Sequence, residues 1–242
     1  MHSGKKIGTK GEYILLEFFS SYNCFTRINL TQSSTFYRDD RAILVLDMDN
    51  TLINTFGKKE KEIEELCMFG LDKSQILKFV AHGDQETCVK RPGVEEFLLE
   101  MSKHFILIPW TAGTEEYATP ILDWLDPDGS LFKFRLFRQD CVSYDGGRSY
   151  VKDLNTLNVP LSRVLILDNC PRSYQNQPDN GVPIIDFDGD QLDCELRSGS
   201  YTEVLAQASK FADVRIGITA DLRSMVETKR NGYVSTRLNV FL

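Results

Sequence analysis

The chain has 242 residues, 42% hydrophobic and 26% charged, with 28 basic and 35 acidic side chains and a net charge of −7. That length suits one α/β domain with extensions and buries a sizeable core, and the hydrophobic share excludes a disordered chain. The acidic balance argues against a general nucleic-acid binder, whose footprint is a basic surface.

Residues 1–40 are weakly patterned and read as an amino-terminal extension. Glu17 interrupts the apolar run Tyr13 to Leu16, so no secretory signal is expected. Ala42 to Leu46 is a continuous apolar run that stops at Asp47, the pattern of a strand buried on both faces. The mixed charges of residues 56–65 read as a solvated helix face or loop, and a short helix is predicted around Ser74 to Val80. Pro92 opens a helix with Val94, Phe97, Leu98 and Met101 on one face. A second buried strand, Phe105 to Ile108, leads to Trp110-Thr111. Tyr117, Ile121, Leu122 and Leu125 mark another helix, kinked or restarted at Pro120. Asp126 to Gly129 is a turn, Leu131 to Arg138 reads as strand, and Asp145-Gly146-Gly147 signals a hairpin.

A third buried strand, Val164 to Leu167, ends at Asp168-Asn169, and a fourth is predicted at Val182 to Ile185. Helices are expected at Gln191 to Leu196 and Tyr201 to Phe211, with a loosely held tail at the end. The longest apolar stretches, such as Phe105 to Trp110, fall far short of the roughly 20 residues that span a bilayer, so no membrane span is expected. The six cysteines form no Cys-x-x-Cys, which suggests neither a zinc site nor a redox pair and leaves reduced thiols as the expectation.

Strands alternating with helices predict a doubly wound, mostly parallel sheet. In such sheets the ligand crevice lies beyond the carboxyl ends of the strands. The three best strands deliver Asp47, Thr111 and Asp168-Asn169 to that edge. Two carboxylates two residues apart, Asp47 and Asp49, invite a hard divalent cation such as Mg²⁺. Taken singly, Thr111 reads as a helix N-cap, Asn169 as a turn residue and Lys152 as a surface lysine. Cys170 has no histidine nearby and reads as a small packing residue.

Asp47-x-Asp49-x-Thr51-Leu52, Thr111, Lys152 and Asp168-Asn169 resemble, in order, the four motifs of the haloacid dehalogenase superfamily. Lys90-Arg91-Pro92-Gly93-Val94, Trp110-Thr111-Ala112, Tyr117-Ala118, Leu136-Phe137-Arg138, Tyr150 to Leu154, Leu167 to Pro171 and Gln177 to Gly181 resemble the small carboxy-terminal-domain (CTD) phosphatases. Those enzymes act on RNA polymerase II and other proteins. The resemblance spans roughly residues 40 to 210 and implies a Rossmann-like phosphatase domain at 41–212, with a small β insertion over Phe134 to Tyr150 and no large cap. Residues 213–242 are then a segment that packs on the domain or trails from it.

The resemblance implies a Mg²⁺-dependent protein serine/threonine phosphatase acting through an aspartyl-phosphate. Asp47 is the implied nucleophile and Asp49 the general acid and base, with Thr51 positioning Asp49. Thr111 donates to a phosphoryl oxygen, Lys152 balances charge, and Arg138 contacts substrate, as Thr51 does in the implied substrate set. Mg²⁺ is expected on the Asp47 carboxylate, the Asp49 carbonyl and Asn169, with Asp168 supporting that set. Asn50 stands where the family usually carries Glu, and Gly113 and Cys170 where it usually carries Ser. The expected partner is a phosphorylated protein, with the polymerase tail as one candidate. The expected location is inside the cell, in nucleus or cytoplasm, with the mitochondrion as a further compartment. Two other readings compete: a protein-binding receptor on the same fold, like a mitochondrial import receptor, and a receiver domain with an acidic Mg²⁺ pocket. Receivers are about half this length and place their acidic pair before the phosphorylated aspartate.

Overall fold

The computed structural model describes residues 39–57, 71–197 and 199–218. The weakly patterned front, most of the charged stretch at 56–65 and the tail beyond 218 lie outside the described residues. Four parallel strands form the central sheet: β1 (Ala42–Leu46), β5 (Phe105–Pro109), β8 (Val164–Asp168) and β9 (Gly181–Pro183). Their order is β5-β1-β8-β9. This is the mostly parallel, doubly wound sheet expected from the sequence. The chain leaves β1 toward β5 on one side and later returns to β8 on the other. The crevice at such a reversal opens at the carboxyl ends of the central strands.

Every residue of β1, β5 and β8 is buried, which explains why these strands are apolar throughout rather than alternating. Leu44, Leu46, Leu107, Leu165 and Leu167 point into one core layer, and Ile43, Val45, Ile106, Ile108 and Ile166 into the other. Helices α1 (Val94–His104), α2 (Glu115–Leu125) and α3 (Ser200–Ala208) feed the first layer. The second is closed by single turns of 3₁₀ helix, through Leu154, Leu157 and Tyr174. Val214 and Ile218 also enter the first layer. Among the described residues, no helix is long and apolar enough to cross a membrane.

The chain between β1 and α1 forms a second, antiparallel sheet. It holds β2 (Ile53–Thr55), β3 (Ile76–Ala81) and β4 (Asp84–Lys90), in the order β2-β4-β3. The helix expected at Ser74 to Val80 is corrected here to a 3₁₀ turn at Lys73–Gln75 followed by β3. The run Ile76-Leu77-Lys78-Phe79-Val80 is rich in strand formers, and His82-Gly83 reverses the chain with both residues at positive φ, 53° and 80°. That backbone matches the twist of a two-residue hairpin. A further hairpin, β6 (Val142–Tyr144) with β7 (Ser149–Val151), turns over Asp145-Gly146-Gly147 as predicted.

Three further expectations are revised. Pro120 does not restart α2, which runs without interruption from its Thr114 cap to Leu125. Leu131 to Arg138 forms only two isolated bridges, Leu107 to Phe132 and Trp110 to Leu136. Three steps on one side face four on the other, so the ladder slips and no strand builds. Gln191 to Leu196 is a chain of turns: Asp190 and Asp193 accept the amides of Leu192 and Glu195, diverting the backbone from a helix.

Candidate active site

Asp47 leaves β1 with its amide still paired to the Leu167 carbonyl, 3.0 Å away, so its position is fixed by the sheet itself. The next turn folds back sharply: the amides of Thr51, Leu52 and Ile53 all donate to the Met48 carbonyl. This reversal brings Thr51 under Asp47. Thr51 Oγ1 donates to Asp47 Oδ2 at 2.8 Å, while Lys152 Nζ donates to Asp47 Oδ1. The expected bond from Thr51 to Asp49 is therefore not the one formed. Thr51 is also fully buried, which argues against direct substrate contact.

Lys152 follows β7 and is 2% exposed. Its backbone amide donates to the Ser173 carbonyl at 2.6 Å, and its Nζ also donates to Asp168 Oδ2 at 2.7 Å. The lysine thus bridges the ends of β1 and β8. Burial opposes its charge, but Asp168 and Asp47 outweigh burial and hold the ammonium above the ordinary lysine range. Burial first, and Asp47 second, push the Asp168 carboxyl upward against the pull of Lys152. Asp168 Oδ1 also accepts the Cys170 amide at 2.7 Å. Cys170 itself is exposed, so its reading as a packing residue is corrected.

Asp49 stands beside this pair with different surroundings. Tyr117 OH donates to its Oδ1 at 2.5 Å and Thr111 Oγ1 to its Oδ2 at 3.3 Å. Burial, with Asp47 adding to it, raises the Asp49 carboxyl to about 6 against these hydrogen bonds. Burial and Asp49 likewise push the Tyr117 phenol upward, which keeps it a donor. A raised native value means the folded state binds this proton more tightly than the unfolded chain. Its stabilising share is complete below about pH 4 and lost as pH rises through about 6. Asn resembles the protonated acid. Asp49→Asn is expected to stabilise the metal-free protein by about 2–3 kcal/mol at pH 7 and hardly at all at pH 4. Urea unfolding in chelator at both values checks this, and an equal effect at both would refute it.

Asn169 projects from the turn after β8. Its Oδ1 lies 3.3 Å from Thr51 Oγ1, and its Nδ2 donates to Asp186 Oδ1 at 3.2 Å. Oxygens of Asp47 and Asn169 thus converge on one hydroxyl. The turn after Asp47 leaves the Asp49 carbonyl out of its own hydrogen bonds. Carboxylate, carbonyl and amide oxygen form a hard donor set, and two carboxylates against one lysine leave negative charge for a cation. These residues fit Mg²⁺. Among the described residues, no group of three His, Cys, Asp or Glu side chains is arranged to hold a metal.

Arg138 sits at the exposed rim. Its Nε donates to the Ala112 carbonyl at 2.7 Å, and its guanidinium lies 5.2 Å from the Tyr150 ring. The structure also explains two departures noted in the sequence. Asn50 has φ 59°, a conformation Asn tolerates, and pairs twice with Phe187, through its carbonyl at 2.7 Å and its Nδ2 at 3.0 Å. A Cβ on Gly113 in its present place meets the Tyr117 ring at 2.9 Å and Thr111 Oγ1 at 3.1 Å. Two residues escaped the sequence reading although their strings were noted. Tyr117 reads as helix face, and Arg91 only as part of the string Lys90 to Val94. Arg91 is fully buried, paired with Asp193 at 2.7 Å and bonded to the Thr51 carbonyl at 3.1 Å.

Comparison with known proteins gives this arrangement its context. The chain is 40% identical over 157 residues to carboxy-terminal domain RNA polymerase II polypeptide A small phosphatase 1 of Homo sapiens, covering 65% of this chain and 56% of that protein. It is 37% identical over 157 residues to phosphatase Herzog of Drosophila melanogaster, covering 65% and 42%. The match therefore spans about half the length of these relatives. Two solved structures share the fold. One is Fcp1, an essential RNA polymerase II CTD phosphatase, with TM-score 0.50, 21% identity, and 69% of this chain and 49% of that chain covered. The other is fission yeast Fcp1 bound to beryllium fluoride, with TM-score 0.53, 18% identity, and 87% and 57% covered. The model of the NLI interacting factor-like phosphatases matches residues 42–215, and the chain belongs to that family, within the haloacid dehalogenase superfamily.

Proposed function

We propose that the chain is a Mg²⁺-dependent protein phosphatase that transfers phosphate from serine or threonine to Asp47 and then to water. The observation that carries this reading is a pair of neighbouring carboxylates in opposite environments. Asp47 is bonded to Lys152 and Thr51, while Asp49 is raised to about 6 beside it. One suits a nucleophile and the other a proton donor.

In the first step an Asp47 oxygen attacks phosphorus, and the bond from phosphorus to the seryl oxygen breaks. Asp49 gives its proton to that departing oxygen. Thr111, fixed by its amide bond to the Leu136 carbonyl, turns its hydroxyl to a phosphoryl oxygen. In the second step water attacks the aspartyl-phosphate, Asp49 takes the water's proton, and the Asp47 carboxylate is released with phosphate. Lys152 keeps its charge throughout and steadies Asp47 in both steps. Asp47, the Asp49 carbonyl and Asn169 are the groups that would hold Mg²⁺, with Asp168 supporting them through Lys152 and the Cys170 amide. When bound, the ion supplies positive charge that offsets repulsion between the phosphate and the Asp47 carboxylate. Arg138 at the rim suits contact with the substrate phosphate or its flanking chain.

A phosphorylated protein is the proposed substrate, and the polymerase tail enters because of the relatives' names. A pure binding receptor has no use for two carboxylates bridged by a buried lysine, so that reading is set aside. The test is phosphate release from a phosphopeptide array that includes polymerase-tail repeats, with Mg²⁺ and with chelator. Turnover that falls more than about 100-fold in chelator and returns with Mg²⁺ is expected. No release from any phosphopeptide or aryl phosphate in Mg²⁺ would sink the proposal.

A further inference from the structure

Asp49 is held on its two oxygens by two different hydroxyls. Tyr117 OH occupies Oδ1 at 2.5 Å, and Thr111 Oγ1 approaches Oδ2 at 3.3 Å. The phenol is fixed from its other side as well. Thr55 Oγ1, on β2, lies 2.7 Å from Tyr117 OH. The Tyr117 ring leans on Phe79 of β3, with ring centroids 5.8 Å apart, and Gly113 leaves the space it fills. The second sheet and α2 therefore place one hydroxyl against one carboxyl oxygen.

A phenol carries a single proton. Donated to Asp49 Oδ1, it leaves the phenol oxygen to accept from Thr55. The oxygen that accepts this short bond is the poorer seat for the acid's own proton, because a carboxylic acid accepts best through its carbonyl oxygen, and Thr111 at 3.3 Å competes far less for Oδ2. The transferable proton then belongs on Oδ2, the oxygen on the Thr111 side. We propose that Tyr117, braced by Thr55, is a positioning residue for proton transfer: it occupies Oδ1 of Asp49 and directs the acid's proton to Oδ2, toward Thr111 and the departing oxygen. This inference rests on the reading of Asp49 as general acid. No charge or electron is consumed; the proton moves from Asp49 Oδ2 to the leaving oxygen while the Tyr117 proton stays on the phenol.

The test uses leaving groups rather than total activity. Substituted phenyl phosphates are similar in size, but their leaving phenoxides differ in their need for a proton. The quantity kcat/KM reports the steps up to transfer onto Asp47. Tyr117→Phe keeps the ring and removes the hydroxyl. It is expected to lose about tenfold or more on phenyl phosphate and less than about threefold on dinitrophenyl phosphate, steepening the leaving-group dependence. Thr55→Val is expected to steepen it less. An equal loss along the whole series marks a merely structural role and overturns the assignment. Asp49→Asn separates the two levels. If it steepens the dependence while Tyr117→Phe does not, Tyr117 falls and Asp49 stands; if Asp49→Asn leaves the dependence unchanged, both fall.

Discussion

Asp47→Asn is expected to lower kcat by at least about 10⁴-fold while leaving the protein folded. The amide is no nucleophile, so no covalent phosphoryl intermediate can form. The fold survives for a local reason. Lys152 retains Asp168 at 2.7 Å, and the Asn oxygen still has Lys152 within reach. The backbone amide of residue 47 keeps its bond to the Leu167 carbonyl. Two measurements are needed. Steady-state turnover of an aryl phosphate gives the loss. Acid quenching of the wild type during turnover should trap an acyl-phosphate that hydroxylamine cleaves, and the variant should trap none. Retention of more than a tenth of the wild-type rate by a folded Asp47→Asn would remove Asp47 from the nucleophile's role.

The strand ends were legible because burial writes a plain signature. Ala42 to Leu46, Phe105 to Ile108 and Val164 to Leu167 are apolar on successive residues, and only a strand covered on both faces needs that. Asp47, Thr111 and Asp168 follow from where those runs stop. Lys152 had no such signal. It follows a three-residue strand, and its burial depends on distant groups such as Asp168 and the Ser173 carbonyl. Only the resemblance singled it out. The resemblance implies a Thr51 that positions Asp49, and residues 47, 49 and 51 do share a face in extended chain. The three amides converging on Met48 end that extension and bring Thr51 to Asp47. Tyr117 was hidden for a similar reason: its apolar ring satisfies the helix pattern, while its hydroxyl acts across 68 residues of chain. The second sheet was missed because Ile76 to Val80 fits either period until the reversal at His82-Gly83 is known.

Lys152→Met is expected to cost both stability and activity, and for the same electrostatic reason. The ammonium lies between Asp47 and Asp168, which are 8% and 0% exposed. Removing one member of a buried charge cluster leaves the others uncompensated, at about 3–5 kcal/mol. The loss should be largest in metal-free protein at pH 7 and shrink toward pH 4, because the Asp168 carboxyl, which burial already pushes upward, takes up a proton there once the lysine is gone. Adding Asp168→Asn to Lys152→Met removes one of the stranded carboxylates, so the double variant should be more stable than Lys152→Met alone. Urea unfolding of the four members of this cycle measures the coupling. A loss under about 1 kcal/mol, or one that is equal at both pH values, would mean that the buried lysine is not the charge that permits two carboxylates to share the β1–β8 crevice. Activity should fall by about 10³-fold or more, because Asp47 loses the donor that holds its Oδ1. Mg²⁺ should return part of the stability of Lys152→Met but little of its rate. A cation beside Asp47 offsets stranded charge wherever it sits, whereas holding the attacking oxygen depends on a donor fixed in place by β7 and the Ser173 carbonyl.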